Sequence, residues 1–169
     1  MIFVDMDGVL AKWNSAASIE DTYQEGYFLE RELEDKIKKL ILMLKRTGEK
    51  VAILSAVYPT GTAKADKNCW LDLIGLPDVR RIFVPYGMDK HEFIPCLPEP
   101  MILLDDYSRN LHTWESAGFR GIKFYNGING TKGSWKGASI RNTMTVEEMY
   151  GVVMSVKYKK GNDKGKKGQ

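Results

Sequence analysis

Met1-Ile2-Phe3-Val4-Asp5-Met6-Asp7-Gly8 opens the chain, and Met101-Ile102-Leu103-Leu104-Asp105-Asp106 repeats its pattern far downstream. In each stretch, four apolar residues run straight into acid. Such a run reads as a buried strand that emerges at the edge of a sheet, where open α/β folds place their ligands. Two strand ends of this kind put Asp5, Asp7, Asp105 and Asp106 together. Crowded carboxylates repel one another unless a cation neutralises them, and an oxygen-only set with no His or Cys nearby suits Mg²⁺ better than Zn²⁺. Mg²⁺ held this way keeps open positions for phosphate oxygens, and a neighbouring carboxylate can attack phosphorus to form an aspartyl-phosphate. Asp7, two residues beyond Asp5, is placed to exchange the proton. The competing reading makes Asp5 and Asp7 an Asx turn ahead of a helix and Asp105-Asp106 an N-cap pair.

Outward from these stretches, further strands are expected at 50–54, 81–85 and 121–125, alternating with helical patterns. The class is α/β, a doubly wound and mainly parallel sheet of Rossmann type. Leu33, Ile37, Leu40, Ile41 and Leu44 recur on one helix face that stops at Gly48. A second helix is expected from about Thr62 to Leu73, and a third carries Tyr107, Leu111 and Trp114 before Gly118. Thr145 and Glu148 have capping-box spacing ahead of a last helix with Met149, Val152, Val153 and Val156.

Asp5-Met6-Asp7-Gly8-Val9-Leu10 resembles motif I of the haloacid dehalogenase-like (HAD) phosphohydrolases, and the other motifs follow in order over roughly the first 125 residues. Val51-Ala52-Ile53-Leu54-Ser55 resembles motif II, Lys90 or Lys67 stands for the motif III lysine, and Ile102-Leu103-Leu104-Asp105-Asp106 resembles motif IV. Lys90 is the first choice because it follows the apolar run Ile82-Phe83-Val84 and lies fifteen residues before Asp105. Lys67, on the helix after Ser55, is either a second phosphate contact or a surface charge. Gly26-Tyr27-Phe28, the pair Lys67 and Trp70, and Leu104-Asp105-Asp106-Tyr107 are similar to the 5'(3')-deoxyribonucleotidases and their phage and bacterial relatives.

The resemblance implies that Asp5 is the nucleophile and that Asp7 is first the acid and then the base. It implies that Ser55 and the motif III lysine hold phosphoryl oxygens, and that Asp5, the Asp7 backbone carbonyl and Asp105 or Asp106 hold Mg²⁺. The expected activity is Mg²⁺-dependent hydrolysis of a small phosphate ester, a nucleoside monophosphate first, as a 5'-nucleotidase. A phosphatase for another small phosphoester or for a polynucleotide 3'-phosphate end is the alternative. A receiver domain also groups acids around Mg²⁺, but with the acidic pair on the first strand and the phosphoaspartate later, the reverse of the order here.

Two segments depart from the family's usual form. Residues 12–31 leave room for only a very short cap; Trp13, Tyr23, Tyr27 and Phe28 there could stack on a base or form a hydrophobic plug. Residues 121–137 are glycine-rich and basic, and Asn126-Gly127 and Asn129-Gly130 suggest a strand leading into a loop or hairpin. Lys132, Trp135 and Lys136 could meet a phosphate and a base, or Trp135 could pack down under an ordinary loop.

Composition sets the remaining bounds. The chain has 169 residues, 43% of them hydrophobic, enough for one domain with a sizeable core, expected over 1–156. Asp5 interrupts the first apolar run and Leu40 to Leu44 is too short to span a membrane, so a cytoplasmic protein without a membrane partner is expected. Cys69 and Cys96 lack metal-ligand spacing. The segment 157–169 holds six lysines and one aspartate, a charge of +5 against +3 for the whole chain, so the preceding body is mildly acidic. That tail has almost nothing to bury and is expected to be disordered. A nucleic-acid-binding module built on the tail and the 121–137 loop is possible but not favoured by the acidic body. The oligomeric state is not legible.

Overall fold

The computed structural model describes residues 1–159 apart from 19, 60, 96 and 131–132; Cys96, Lys132 and most of the basic tail lie outside the described residues. Six parallel strands form one sheet: β1 (Ile2–Val4), β2 (Val51–Val57), β3 (Arg80–Pro85), β4 (Ile102–Asp105), β5 (Arg120–Tyr125) and β6 (Ala138–Arg141), in the order β3-β2-β1-β4-β5-β6. The described residues form four α-helices: α1 (Asp35–Arg46) joins β1 to β2, α2 (Ala63–Leu73) joins β2 to β3, α3 (Ser108–Ser116) joins β4 to β5, and α4 (Val146–Tyr158) follows β6. This is the doubly wound α/β sheet expected of the strand and helix patterns. The register pairs Ile2, Phe3 and Val4 with Val51, Ala52 and Ile53 on one side and with Ile102, Leu103 and Leu104 on the other.

Alternation along the strands splits the core in two. Ile2, Val4, Ile53, Ile102 and Leu104 face a layer built from Ile37, Leu40, Ile41 and Leu44 of α1 and Met149 and Val153 of α4. Phe3, Ala52, Leu54 and Leu103 face Leu111 and Trp114 of α3. Trp114 meets Phe3 edge to face at 5.3 Å between ring centroids. Each fully buried aliphatic or aromatic side chain contributes about 1.5–3 kcal/mol. The expected capping box is present: the Glu148 amide donates to Thr145 Oγ1 at 3.2 Å and the Thr145 amide to Glu148 Oε2 at 2.7 Å.

The chain winds from β1 outward through β2 to β3, then crosses back to β4 on the other flank of β1. The carboxyl ends of β1 and β4 therefore lie side by side at the point where the winding reverses, the place where sheets of this type leave a crevice. Asp5 follows one of these strands; Asp105 and Asp106 end the other.

Of the loop and the hairpin expected after β5, the described residues show no hairpin: Ile122 to Tyr125 pair in parallel with Ala138 to Arg141, which adds a sixth strand. A parallel neighbour requires a crossover connection, and the glycine-rich segment supplies it. Trp135 anchors that connection. It is buried, donates its indole N–H to the Ala138 carbonyl at 2.9 Å, and lies so close to Gly121 and Gly137 that a side chain at either position would collide with its ring. At the other end of the chain, α4 continues through Tyr158, two residues into the segment assigned to the tail. Arg120 donates to the Val156 and Lys157 carbonyls at 2.6 and 2.7 Å, and Lys157 pairs with Glu49 at 2.7 Å. No described helix is long and apolar enough to cross a membrane.

Candidate active site

The chain turns sharply after β1. The amides of Leu10 and Ala11 both donate to the Met6 carbonyl, at 2.9 and 2.8 Å, and Gly8 takes a φ of +77°. The Asp106 carboxylate lies against Gly8 where a Cβ would stand. Glycine is required there both for its backbone angle and for space, and this contact seats the β4 acid against the β1 turn.

Lys90 joins the two strand ends. Its side chain is 4% exposed, and its Nζ lies 2.8 Å from Asp5 Oδ1 and 2.7 Å from Asp105 Oδ2. Asp105 also accepts from Asn110 Nδ2 at 2.9 Å and from the Tyr107 amide at 2.8 Å, so its two oxygens are fixed. Asp106 accepts from Asn126 Nδ2 at 3.1 Å, and the same amide group donates to the Gly8 carbonyl at 2.9 Å. Lys123 donates to the Asp106 carbonyl and, at 3.1 Å, to Ser108 Oγ. Asp5, Asp105 and Asp106 each bring an oxygen within 4.8 Å of the others.

Such a group carries excess negative charge. Burial, with Asp105 and Asp7 adding to it, pushes the Asp5 carboxyl up to about 7 against the pull of Lys90. Burial, then the charges of Asp105 and Asp5, pushes Asp106 up to about 8. For Lys90, burial opposes its charge, but Asp105 and Asp5 outweigh it and hold the ammonium above the ordinary lysine range. Three converging carboxylate oxygens, with no softer donor among them, fit a hard divalent cation such as Mg²⁺.

Asp7 belongs to a second group. Its carboxylate, 24% exposed, pairs with Lys67 and accepts from Ser55 Oγ at 3.3 Å. Lys67, only 1% exposed, also donates to Ser55 Oγ at 3.0 Å and to the Ala56 carbonyl at 2.7 Å, with the Phe28 ring 4.3 Å away. The surface-charge reading of Lys67 is thus corrected: α2 packs on the segment 27–30, which buries the lysine. The Asp7 side chain stands apart from the three clustered acids.

A cleft of about 160 Å³ opens over both groups, lined by Asp5, Asp7, Lys67, Lys90 and Asn110 with Trp13, Phe28, Tyr58 and Tyr86. Of the aromatic candidates, Trp13 is at its rim. Tyr27 does not line it; its ring lies 4.0 Å from the Arg31 guanidinium and edge-on to Phe28, and Phe28 takes the cleft position. Trp135 is packed inside the crossover and does not reach the cleft. Residues 12–31 are fastened to the body by Gly26 donating to Asp66 Oδ2 at 3.0 Å and by Trp70 Nε1 donating to the Arg31 carbonyl at 3.0 Å.

Sequence reasoning did not single out Asn110, Asn126 or Lys123. A polar residue in the first turn of the helix after the acidic strand, and an Asn-Gly turn directly after β5, are signals that could have found the first two. Lys123 reads as an ordinary strand residue until β5 is placed beside β4.

No protein-family model and no curated protein matches the chain. Among solved structures it is similar to a chain of the Pnkp1/Rnl/Hen1 complex, with a TM-score of 0.57 and 18% identity over 72% of this chain and 44% of that one. The chain thus spans less than half the length of that neighbour, and at this identity the shared property is the fold alone, a parallel α/β sheet.

Proposed function

We propose that the protein is a Mg²⁺-dependent phosphomonoester hydrolase of the HAD type that forms an aspartyl-phosphate on Asp5. The observation that carries this reading is the bridge from Lys90 to both Asp5 and Asp105 beside Asp106, with Asp7, Ser55 and Lys67 joined as a second group at the same cleft. Lys90 takes the motif III part. Mg²⁺, when held by Asp5, Asp105 or Asp106 and the Asp7 carbonyl, supplies charge neutralisation for the phosphoryl group.

An Asp5 oxygen attacks phosphorus in line with the ester oxygen, and the bond from phosphorus to that oxygen breaks. Lys67 and Ser55 bind phosphoryl oxygens. In doing so they release Asp7, which takes up a proton from solvent at the open cleft and gives it to the departing ester oxygen. Asp7 next removes a proton from water, the water oxygen attacks phosphorus, and the bond to Asp5 breaks to release phosphate. Trp13, Phe28 and Tyr58 at the cleft rim suit a nucleoside leaving group, and a nucleoside monophosphate, cleaved as by a 5'-nucleotidase, is the first substrate to examine.

The test is phosphate release from deoxy- and ribonucleoside monophosphates, sugar phosphates and p-nitrophenyl phosphate, with Mg²⁺ and with EDTA, for the wild type and Asp5→Asn. Release that needs Mg²⁺ and falls at least ~10³-fold in Asp5→Asn is the expected result. Wild-type-like turnover by Asp5→Asn would sink the assignment.

A further inference from the structure

The reaction cleft has a neighbour that the proposed chemistry does not use. A second groove of about 200 Å³ has Tyr86, Tyr107 and Arg109 in its lining, with the acid Asp89 on the same wall as Lys90, whose charge Asp5 and Asp105 already hold. Ala56, Tyr86, Lys90 and Asn110 also line the reaction cleft, so the two spaces share a wall beside the reacting acids. The reaction cleft alone, at about 160 Å³, is roughly half of the ~300 Å³ at which enclosed sites for drug-sized ligands begin. It takes a phosphate and part of what is attached. The remainder lies outside, and Tyr86 marks where.

Tyr86 is an exposed aromatic ring that the fold nevertheless holds in place. Tyr58 stacks between Tyr23, at 4.4 Å between centroids, and Tyr86, at 4.6 Å, with interplanar angles of 35° and 39°. Tyr86 is 62% exposed and so keeps free area on a ring already braced from behind. A ring fixed in advance loses little freedom when a ligand stacks on it. Tyr107, also exposed, and the exposed Arg109 stand in the same groove, both carried at the start of α3 directly after the acidic strand. Aromatic surface with a cation beside it is the chemistry that holds successive bases and the phosphate between them in a single strand.

We propose that this second groove receives the nucleotide adjoining the terminal phosphate, so that the substrate class is a phosphate-terminated single strand and not a free mononucleotide. The proposal rests on the hydrolase reading of the reaction cleft and specifies its substrate. The strand end enters the reaction cleft with its phosphate on Lys67 and Ser55, the chain passes Tyr86, and the next base and phosphate meet Tyr107 and Arg109.

The experiment compares kcat/KM for thymidine monophosphates with that for tetrathymidylates phosphorylated at the 3' or the 5' end. p-Nitrophenyl phosphate reports on the chemistry alone. The expected result is an advantage of about tenfold or more for the tetranucleotide at one end, shrinking with added salt. Tyr107→Ala and Arg109→Gln, two surface changes on α3, are expected to cut the ratio of tetranucleotide to p-nitrophenyl phosphate turnover several-fold. Equal efficiency for monomer and tetramer at both ends, or ratios untouched by both substitutions, overturns the proposal and leaves the hydrolase standing if p-nitrophenyl phosphate is cleaved. Failure to cleave any ester is instead a failure of the hydrolase reading. In that event, fluorescence anisotropy with labelled, phosphorylated tetrathymidylate decides the groove: binding weakened by Arg109→Gln supports it, and no binding overturns it.

Discussion

Asp5 and Asp105 share the ammonium of Lys90 with the Asp106 carboxyl close beside them, whereas Asp7 has a lysine and a serine hydroxyl to itself. Both groups sit at the same sheet edge, and both lysines are buried. They differ in charge balance and in access to water. The first group holds more negative charge than Lys90 offsets in a place where hydration is poor, which makes it a site that gains from a divalent cation. The second is a balanced pair in which Asp7 remains partly hydrated, so its members can change partners when a phosphate arrives. Both acids line the cleft two residues apart, Asp5 buried and bridged to Asp105 through Lys90, Asp7 partly hydrated and paired with Lys67.

The strongest way to break the comparison is to remove a lysine from each group. Lys90→Met leaves two buried carboxylates without their cation and is expected to cost about 3–5 kcal/mol in urea denaturation of the metal-free protein, with part recovered on adding Mg²⁺. A loss below 1 kcal/mol would show that the clustered acids do not depend on it. Lys67→Met is expected to cost far less stability, because Asp7 can be hydrated, but to lower kcat/KM about 10²-fold by removing a phosphoryl contact. If Lys67→Met destabilised the fold as much as Lys90→Met, the division into two groups would fail.

Much of this site was legible because strand ends are a local signal. Four apolar residues stopping at an acid placed Asp5, Asp7, Asp105 and Asp106 at one edge, and the pattern of α1, with its buried Ile37, Leu40, Ile41 and Leu44, placed the helix that covers the sheet. The division between the acids was not legible. Asp7 and Lys67 are sixty residues apart and their pairing depends on how α2 packs against the segment 27–30, which no local period records. Strand β6 was hidden for a different reason: Ala138-Ser139-Ile140-Arg141 is short, its pattern is weak, and its place comes from pairing with β5. Trp135 in its basic, glycine-rich neighbourhood read either as a base contact or as a ring packed down under a loop, and the structure shows the packed ring. The glycines at 121 and 137 are there to let its ring pack closely.

The smallest effect is the one that separates the two groups without mutation. Asp5 and Asp106 have folded-state values raised to about 7 and about 8 above the ordinary carboxylate value of 3.8. A raised value means that the folded state holds protons which the unfolded chain has already lost, so their stabilisation is full below pH 4 and disappears as pH rises through 7 to 8. The metal-free protein is therefore expected to lose stability steadily between pH 5 and pH 8. Mg²⁺ binds the ionised carboxylates and must displace those protons, so its stabilising effect is expected to grow across the same interval. Thermal denaturation at pH 5, 6.5 and 8, with Mg²⁺ and with EDTA, measures both trends. A Mg²⁺ shift that is the same at all three values would mean that the ion does not bind where Asp5 and Asp106 lie, and the charge excess of that group would need another explanation.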